Sequence, residues 1–205
     1  MKIIEVNQFD TGKIEEFYNK CLVPTYPENE LHTLLIVSKF LKARRAKLLV
    51  AVHNNEIVGG ILYSVMEQSK VLFIQYVATS AEWRYKGIEP VLCNLAVEDT
   101  EGECLFTILE EVKNTRKRKT YMDFIGFREL AVKYIKPKLA YDKELDNNKY
   151  LSVLRQFSIP EQVFTTFLGE YFRDVCFTPN YLNNSVYQDI IESIRGTIII
   201  ETEEI

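Results

Sequence analysis

The sequence predicts an α/β fold, with a central mixed β-sheet flanked by helices and extra helices at the C-terminus. Three observations predict it. Strand patterns follow one another over residues 48–79, strand and helix patterns alternate over residues 80–157, and helical patterns follow Pro160. The composition agrees, because a chain of 205 residues with 47% hydrophobic and 12% aromatic residues can bury a sizeable core.

The N-terminal residues show one strand pattern and two helix patterns. We expect a short strand over residues 2–6, and helices over residues 14–23 and 30–41, where apolar side chains recur at helical spacing. Pro24 and Pro27 separate the two helices, since proline lacks the N–H that a continuing helix needs. These elements precede the main group of strands.

Three strand patterns then follow closely. Residues 48–52 and 57–66 flank the polar turn 53–56, which is the signature of a β-hairpin. Residues 71–79 are rich in β-branched and aromatic side chains and predict a third strand. Together the three segments predict a meander.

From residue 80 onwards, helix and strand patterns alternate. A helix is expected over residues 91–99, just after Pro90, which suits a first helical turn. The later predicted elements are a strand at 104–112, a basic helix at 114–124, and strands at 128–135 and 150–157.

Helical patterns dominate the C-terminal residues. Helices are predicted over residues 161–177 and 186–194, and the tail 195–205 fits either a frayed helix or a strand. We therefore expect one sheet domain over residues 1–157, with residues 158–205 forming a helical extension packed on the same domain.

Composition and charge argue against several classes of protein. No run approaches the ~18 apolar residues of a membrane span, and the N-terminus lacks the apolar segment of a secretory signal. The net charge of −4 disfavours nucleic-acid binding. Two histidines and widely spaced cysteines disfavour a metal site and a disulfide framework. We expect a cytoplasmic protein with no metal and no nucleic-acid or membrane partner; the cysteines are Cys21, Cys93, Cys104 and Cys176.

The sharpest local feature is the transition at residues 77–98. A strand leads into a basic turn that contains a glycine, and the turn opens a helix. A helix N-terminus presents N–H groups and positive potential, which suits phosphate, and Arg84 and Lys86 add cationic side chains. The pattern fits an anion site, although on its own a strand–turn–helix with two basic residues is more often a simple connection.

The order of the elements around this turn resembles the GNAT superfamily of acyl-CoA N-acyltransferases. The family's Q/R-x-x-G-x-G/A turn is matched by Arg84-Tyr85-Lys86-Gly87-Ile88-Glu89. A later family element, which runs from an asparagine through a tyrosine to Gly-Phe, is matched by Asn114, Tyr121 and Gly126-Phe127. The resemblance covers about residues 1–135, with a longer C-terminus than the family core. It implies an N-acetyltransferase that moves an acetyl group from acetyl-CoA to a primary amine of a small molecule or peptide.

The resemblance also implies roles for particular residues. A base removes the proton of the amine, strand N–H groups polarise the thioester carbonyl, and a tyrosine protonates the sulfur of the leaving CoA. Tyr121 would be that acid, and Glu110, at the end of a strand, is a candidate base or a group that orients the acceptor amine. The implied acetyl-CoA-binding residues are Val77, Thr79, Arg84, Tyr85, Lys86, Gly87, Ile88, Glu89 and Asn114.

Two departures from the family pattern leave an alternative open. Glu89 stands where the family has glycine or alanine, so its carboxylate would either repel the pyrophosphate or point outward. Counted from Asn114 the family's tyrosine falls on Tyr121, but counted back from Gly126 it falls on Met122. These departures favour a catalytically degenerate CoA-binding or protein-interaction module as the alternative.

Two further features remain open. The basic run over residues 113–119 fits a solvated helix face or the attraction of CoA phosphates. The C-terminal aromatic residues fit packing against the sheet or a homodimer contact.

Overall fold

The computed structural model describes residues 1–112, 116–130, 132, 149–156, 158–194 and 198–199. The chain divides into two compact units. The first comprises Met1–Val65 and Leu72–Gly102, and the second comprises Met66–Val71 and Glu103–Ile205. The α/β class expected from the sequence, with a mixed sheet, flanking helices and additional C-terminal helices, is confirmed. The domain boundary at residue 157 stays a prediction.

The first unit contains four neighbouring strands, in the order β1-β2-β3-β4. The pairs β1/β2 and β2/β3 are antiparallel, with a bulge between Ala51 and Val52. Every residue of β4 is buried, which fits its run of β-branched and aromatic side chains. The elements in chain order are β1 (Lys2–Glu5), α1 (Thr11–Phe17), α2 (Leu34–Lys42), β2 (Lys47–His53), β3 (Glu56–Met66), β4 (Val71–Thr79) and α3 (Ile88–Asp99).

Helix α1 is shorter than the sequence predicted. It begins at the N-cap Asp10, whose carboxylate accepts a hydrogen bond from the Lys13 N–H, and its α-helical part ends at Phe17. A π-helical turn over Tyr18–Leu22 continues the chain, and a 3₁₀ turn over Glu28–Glu30 precedes α2. Both α1 and this π-helical turn place apolar side chains in the core.

One glycine of β3 has a specific packing role. A Cβ atom at Gly60 would lie 2.6 Å from the ring of Phe17, closer than two carbon atoms can approach. Because Gly60 has no side chain, the fully buried Phe17 ring can lie directly against β3. The π-helical turn, which begins at the next residue, therefore starts in close contact with β3.

The second unit contains an antiparallel arrangement of three strands, in the order β5-β7-β6. The tail left open by the sequence contains a strand, β9, which pairs with β8 in a separate two-stranded sheet. The elements are β5 (Phe106–Val112), α4 (Arg116–Ile125), β6 (Phe127–Glu129), β7 (Lys149–Leu154), β8 (Ser158–Ile159), α5 (Glu161–Glu170), a π-helical turn (Tyr171–Val175), a 3₁₀ turn (Tyr181–Asn183), α6 (Ser185–Ser193) and β9 (Ile198–Ile199).

Helix α5 and the π-helical turn that follows it carry buried aromatic side chains of the second unit. Phe164, Phe167 and Phe172 are fully buried, and neighbouring rings pack at centroid distances of 5.8–6.1 Å. The helix also ends in a buried carboxylate. Glu170 accepts hydrogen bonds from the N–H groups of Gln68 and Ser69 at 2.9 and 3.0 Å, and from the Ser69 hydroxyl at 2.6 Å. The turn over residues 67–70 is therefore capped by a side chain from the C-terminal helices.

Candidate functional site

The turn between β4 and α3 has an unusual backbone. A 3₁₀ turn over Ala81–Trp83 is followed by Tyr85 and Gly87, whose φ angles are +62° and +83°. Gly87 is the N-cap of α3, and a side chain there would meet nothing within 4 Å, so the left-handed conformation is what favours glycine. The first turn of a helix leaves N–H groups without helical acceptors, which suits anion binding.

The basic side chains of this turn are placed differently. The Arg84 guanidinium donates a hydrogen bond of 2.5 Å to the carbonyl oxygen of Pro24. The Lys86 ammonium lies over the ring of Trp83, 5.0 Å from its centroid, and that ring packs against His53. Lys86 is exposed, so its charge is available to a ligand at the mouth of the turn.

Glu89 lies in the first turn of α3 but does not point outward. Its side chain is 2% exposed, and one carboxylate oxygen accepts a hydrogen bond of 3.2 Å from the Thr79 hydroxyl on β4. The expectation that an outward-facing side chain would explain this residue is therefore not met. The carboxylate instead lies beneath the turn, beside the end of β4.

The backbone of Val77 on β4 is bonded to a tyrosine. The Tyr26 hydroxyl accepts a hydrogen bond of 3.3 Å from the Val77 N–H and donates one of 3.1 Å to the Val77 carbonyl oxygen. The Ser80 N–H donates to Val58 on β3. Because successive residues of a strand direct their N–H groups to opposite edges, the Val77 groups face the edge of β4 opposite β3.

Cys21 lies close to this region but is not a nucleophile. Burial, with smaller contributions from the Glu16 and Glu89 carboxylates, raises the pKa of the Cys21 thiol to about 12. The thiolate is the reactive form of cysteine, so Cys21 acts as a small apolar side chain at neutral pH.

In the second unit, Glu110 on β5 is buried and bonded to the C-terminal helices. Its side chain is 7% exposed, and the hydroxyl of Tyr171 donates a hydrogen bond of 2.9 Å to Oε1 of Glu110. Tyr171 was not singled out from the sequence as a site residue, because its spacing from Phe164 and Phe167 matches a core helix face. The one sequence feature that could have indicated a polar contact is the hydroxyl of Tyr171, since a buried tyrosine hydroxyl usually needs a polar partner.

Tyr121 lies in the middle of α4. Its side chain is half-buried, whereas the neighbouring Met122 is fully buried, and adjacent helix residues differ in direction by about 100°. The helix ends at Gly126, whose φ is +109° and whose N–H donates to the Met122 and Asp123 carbonyl oxygens. Asn114 and the side chains of the basic run 113–119 lie outside the described residues.

The described part of the chain has neither a helix suited to a lipid bilayer nor a cluster of metal-ligating side chains. None of its helices is long and apolar enough to cross a lipid bilayer. Nor does it contain a group of three or more histidine, cysteine, aspartate or glutamate side chains arranged to hold a metal ion.

The chain is similar in structure to several acetyltransferases. An acetyltransferase of the GNAT family from Bacteroides thetaiotaomicron has a TM-score of 0.67 and 14% identity, covering 85% of this chain and 98% of that chain. A Bacillus subtilis acetyltransferase in complex with CoA has a TM-score of 0.54 and 15% identity, covering 75% and 97%. An aminoglycoside 6′-acetyltransferase type Ii has a TM-score of 0.56 and 14% identity, covering 75% and 97%.

These structural matches show the fold, and the sequence itself shows the family. No curated protein matches the chain. The family model described as the acetyltransferase (GNAT) family matches residues 12–127, more than half of the chain and including both the β4–α3 turn and α4. The protein therefore belongs to the GNAT family of acetyltransferases.

Proposed function

We propose that the protein is an N-acetyltransferase that moves an acetyl group from acetyl-CoA to a primary amine of a small molecule or peptide. The β4–α3 turn carries this proposal, because its left-handed residues expose a helix N-terminus beside Lys86. The family match and the CoA complex of the Bacillus subtilis acetyltransferase support it. Free thiols at all four cysteines fit a reducing compartment such as the cytoplasm.

The turn would hold the phosphate end of acetyl-CoA. The N–H groups at Gly87, Ile88 and Glu89 would donate to the pyrophosphate, and the helix dipole would stabilise its charge. Arg84, Tyr85 and Lys86 would line the same turn, and Asn114 would contact the donor as in the family. The pantetheine and thioester would lie along β4, at Val77 and Thr79.

The reaction would be direct transfer. The amine nitrogen attacks the thioester carbonyl carbon, the new C–N bond forms, and the C–S bond breaks with the electron pair leaving on sulfur. Glu110 would accept the proton of the amine, and Tyr121 would donate a proton to the leaving thiolate. Tyr171 would orient Glu110 through the hydrogen bond to Oε1.

Two measurements test the proposal together. Acetyl-CoA at millimolar concentration should raise the melting temperature, since a ligand of the native state stabilises it. A panel of polyamines, aminoglycosides, amino acids and peptides should include at least one amine that releases free CoA thiol. An unchanged melting temperature would overturn the proposal. A raised melting temperature without thiol release from any amine would favour the alternative, an inactive CoA-binding module.

A further inference from the structure

We propose that Tyr26 acts as a gate at the thioester end of the acetyl-CoA site. Its hydroxyl occupies the N–H and carbonyl groups of Val77 on β4. This inference rests on the proposed function, which assigns the same Val77 groups to acetyl-CoA. Donor binding then requires Tyr26 to leave Val77.

The Tyr26 hydroxyl and the thioester oxygen of acetyl-CoA cannot both bond to the Val77 N–H, because of hydrogen-bond geometry. One backbone N–H has a single hydrogen and makes one well-aligned bond. The Val77 N–H already donates to the Tyr26 oxygen at 3.3 Å, and the same hydroxyl returns a bond of 3.1 Å to the Val77 carbonyl. A thioester oxygen polarised by this N–H would stand where the Tyr26 oxygen stands.

Tyr26 is held in place by its surroundings. The side chain is 5% exposed, and its ring meets the ring of Tyr76 edge-on, with centroids 5.1 Å apart. The Tyr76 hydroxyl accepts a hydrogen bond from the His32 N–H at 3.0 Å and donates one to the Glu30 carbonyl at 3.3 Å. We call residues 24–32 the gate segment; β4 fixes it through two consecutive residues, Tyr76 and Val77.

The gate segment also contacts the phosphate end of the proposed site. The Arg84 guanidinium donates to the carbonyl oxygen of Pro24, two residues before Tyr26. Phosphate oxygens compete well for a guanidinium, because charge-assisted bonds to anions are stronger than bonds to neutral carbonyls. A pyrophosphate bound at the turn would thus draw Arg84 from Pro24 and loosen the segment that holds Tyr26.

The consequence is an ordered entry of the donor. The nucleotide end binds first at the turn, and the thioester end gains Val77 only when the gate segment shifts. Part of the binding free energy of acetyl-CoA is used to displace Tyr26, so the gate lowers the affinity for the donor. The Val77 N–H then becomes available only to a donor whose pyrophosphate is already bound at the turn.

Titration calorimetry with two ligands tests this gate. Tyr26→Phe removes the competing hydroxyl and should bind acetyl-CoA about tenfold more tightly than the unmodified protein, the equivalent of one net hydrogen bond. The nucleotide part of CoA, 3′-phosphoadenosine 5′-diphosphate, keeps the pyrophosphate but does not reach Val77, so its affinity should rise much less. Tyr187→Phe is the matched control: it removes the hydroxyl of another buried tyrosine, on α6, and should change neither affinity.

Equal or weaker acetyl-CoA binding by Tyr26→Phe would overturn the gate, as would an equal gain for 3′-phosphoadenosine 5′-diphosphate. Failure of the unmodified protein to bind acetyl-CoA would overturn the proposed function itself, and the gate with it. Deuterium exchange of the unmodified protein gives a second test should the variant fold poorly. Acetyl-CoA should speed exchange in the gate segment, and unchanged or slower exchange there would contradict the gate.

Discussion

At position 89, the carboxylate lies in the first turn of α3 and accepts a hydrogen bond from the Thr79 hydroxyl. The backbone N–H of the same residue belongs to the turn proposed to bind pyrophosphate. Position 89 therefore combines a backbone group that attracts phosphate with a side chain whose field opposes it. The inward orientation of Glu89 does not remove the repulsion, because a buried charge is screened less than an exposed one.

Glu89→Gln should tighten acetyl-CoA binding by about two- to tenfold. The amide oxygen can still accept the Thr79 hydrogen bond, while the charge that opposes the pyrophosphate is removed. Isothermal titration at low and high salt measures the change. Glu82→Gln, an exposed carboxylate of the preceding 3₁₀ turn, is the control and should show a smaller gain that salt abolishes. Weaker binding by Glu89→Gln would contradict the proposed position of the pyrophosphate.

Tyr171→Phe should lower kcat by about tenfold and leave the KM for acetyl-CoA unchanged. The substitution keeps the ring in the aromatic core but removes the hydroxyl that orients Glu110. Steady-state kinetics with a saturating amine measure both constants. Tyr187→Phe, another buried tyrosine whose ring packs against Phe172, should leave kcat unchanged. An equal loss in both variants would point to general loosening of the core.

At the scale of elements, helix α3 is joined to β2 by a polar cluster at its C-terminal end. Asp99 accepts hydrogen bonds of 2.6 Å from the Lys47 ammonium and 2.9 Å from the Tyr63 hydroxyl. Burial acts to raise the pKa of Asp99, but the bonds from Lys47 and Tyr63 and the Lys47 charge outweigh it, so the pKa is lowered. Helix α3 is therefore held by side-chain hydrogen bonds at both ends, through Glu89 near the proposed phosphate turn and through Asp99 at its C-terminus.

This cluster makes stability depend on pH in a defined direction. Because the pKa of Asp99 is lower in the folded protein, the cluster stabilises the fold above the ordinary aspartate pKa of 3.8 and loses this contribution as pH falls through the folded value. In Asp99→Asn, the free energy of unfolding should therefore decline less steeply below about pH 4. Urea denaturation from pH 7 to pH 3 measures the slope. Asp189→Asn, an exposed residue of α6, should follow the unmodified protein.

Sequence reasoning succeeded at the elements whose signal is local. The bounds of β4 agree with the prediction at both ends, because a run of β-branched and aromatic residues is flanked by polar turns. The prediction was less accurate at α1, where a π-helical turn replaces the α-helix after Phe17. The spacing of apolar residues does not change there, so the sequence pattern does not reveal the difference. The roles of Tyr26 and Tyr171 could not be predicted, since their partners lie 51 and 61 residues away in the chain.

At the scale of the whole molecule, the C-terminal helices do more than cover apolar surface. Tyr171 contacts the proposed base, and Glu170 caps the turn over residues 67–70. A carboxylate that is 3% exposed and accepts three hydrogen bonds is expensive to remove, because the donors are left without acceptors. Residues beyond the family match are therefore part of the structure that carries the proposed chemistry.

Glu170→Ala should lower the free energy of unfolding by about 2–4 kcal/mol, because it leaves the N–H groups of Gln68 and Ser69 without their acceptor and the Ser69 hydroxyl with only the Met66 carbonyl oxygen at 3.5 Å. Chemical denaturation monitored by circular dichroism measures the loss. Glu192→Ala on α6, an exposed glutamate, should change stability by less than about 0.5 kcal/mol. A loss below 1 kcal/mol in Glu170→Ala would show that water replaces the carboxylate at the turn.

The cap on residues 67–70 also has a consequence for synthesis. Its acceptor follows its donors by 101 and 102 residues, so the turn can be completed only after Glu170 has left the ribosome. Contacts of such long separation slow folding, because the entropy of closing the intervening loop is lost before the hydrogen bonds form. The nascent chain therefore carries an uncapped turn through nearly half of its elongation, until Glu170 becomes available.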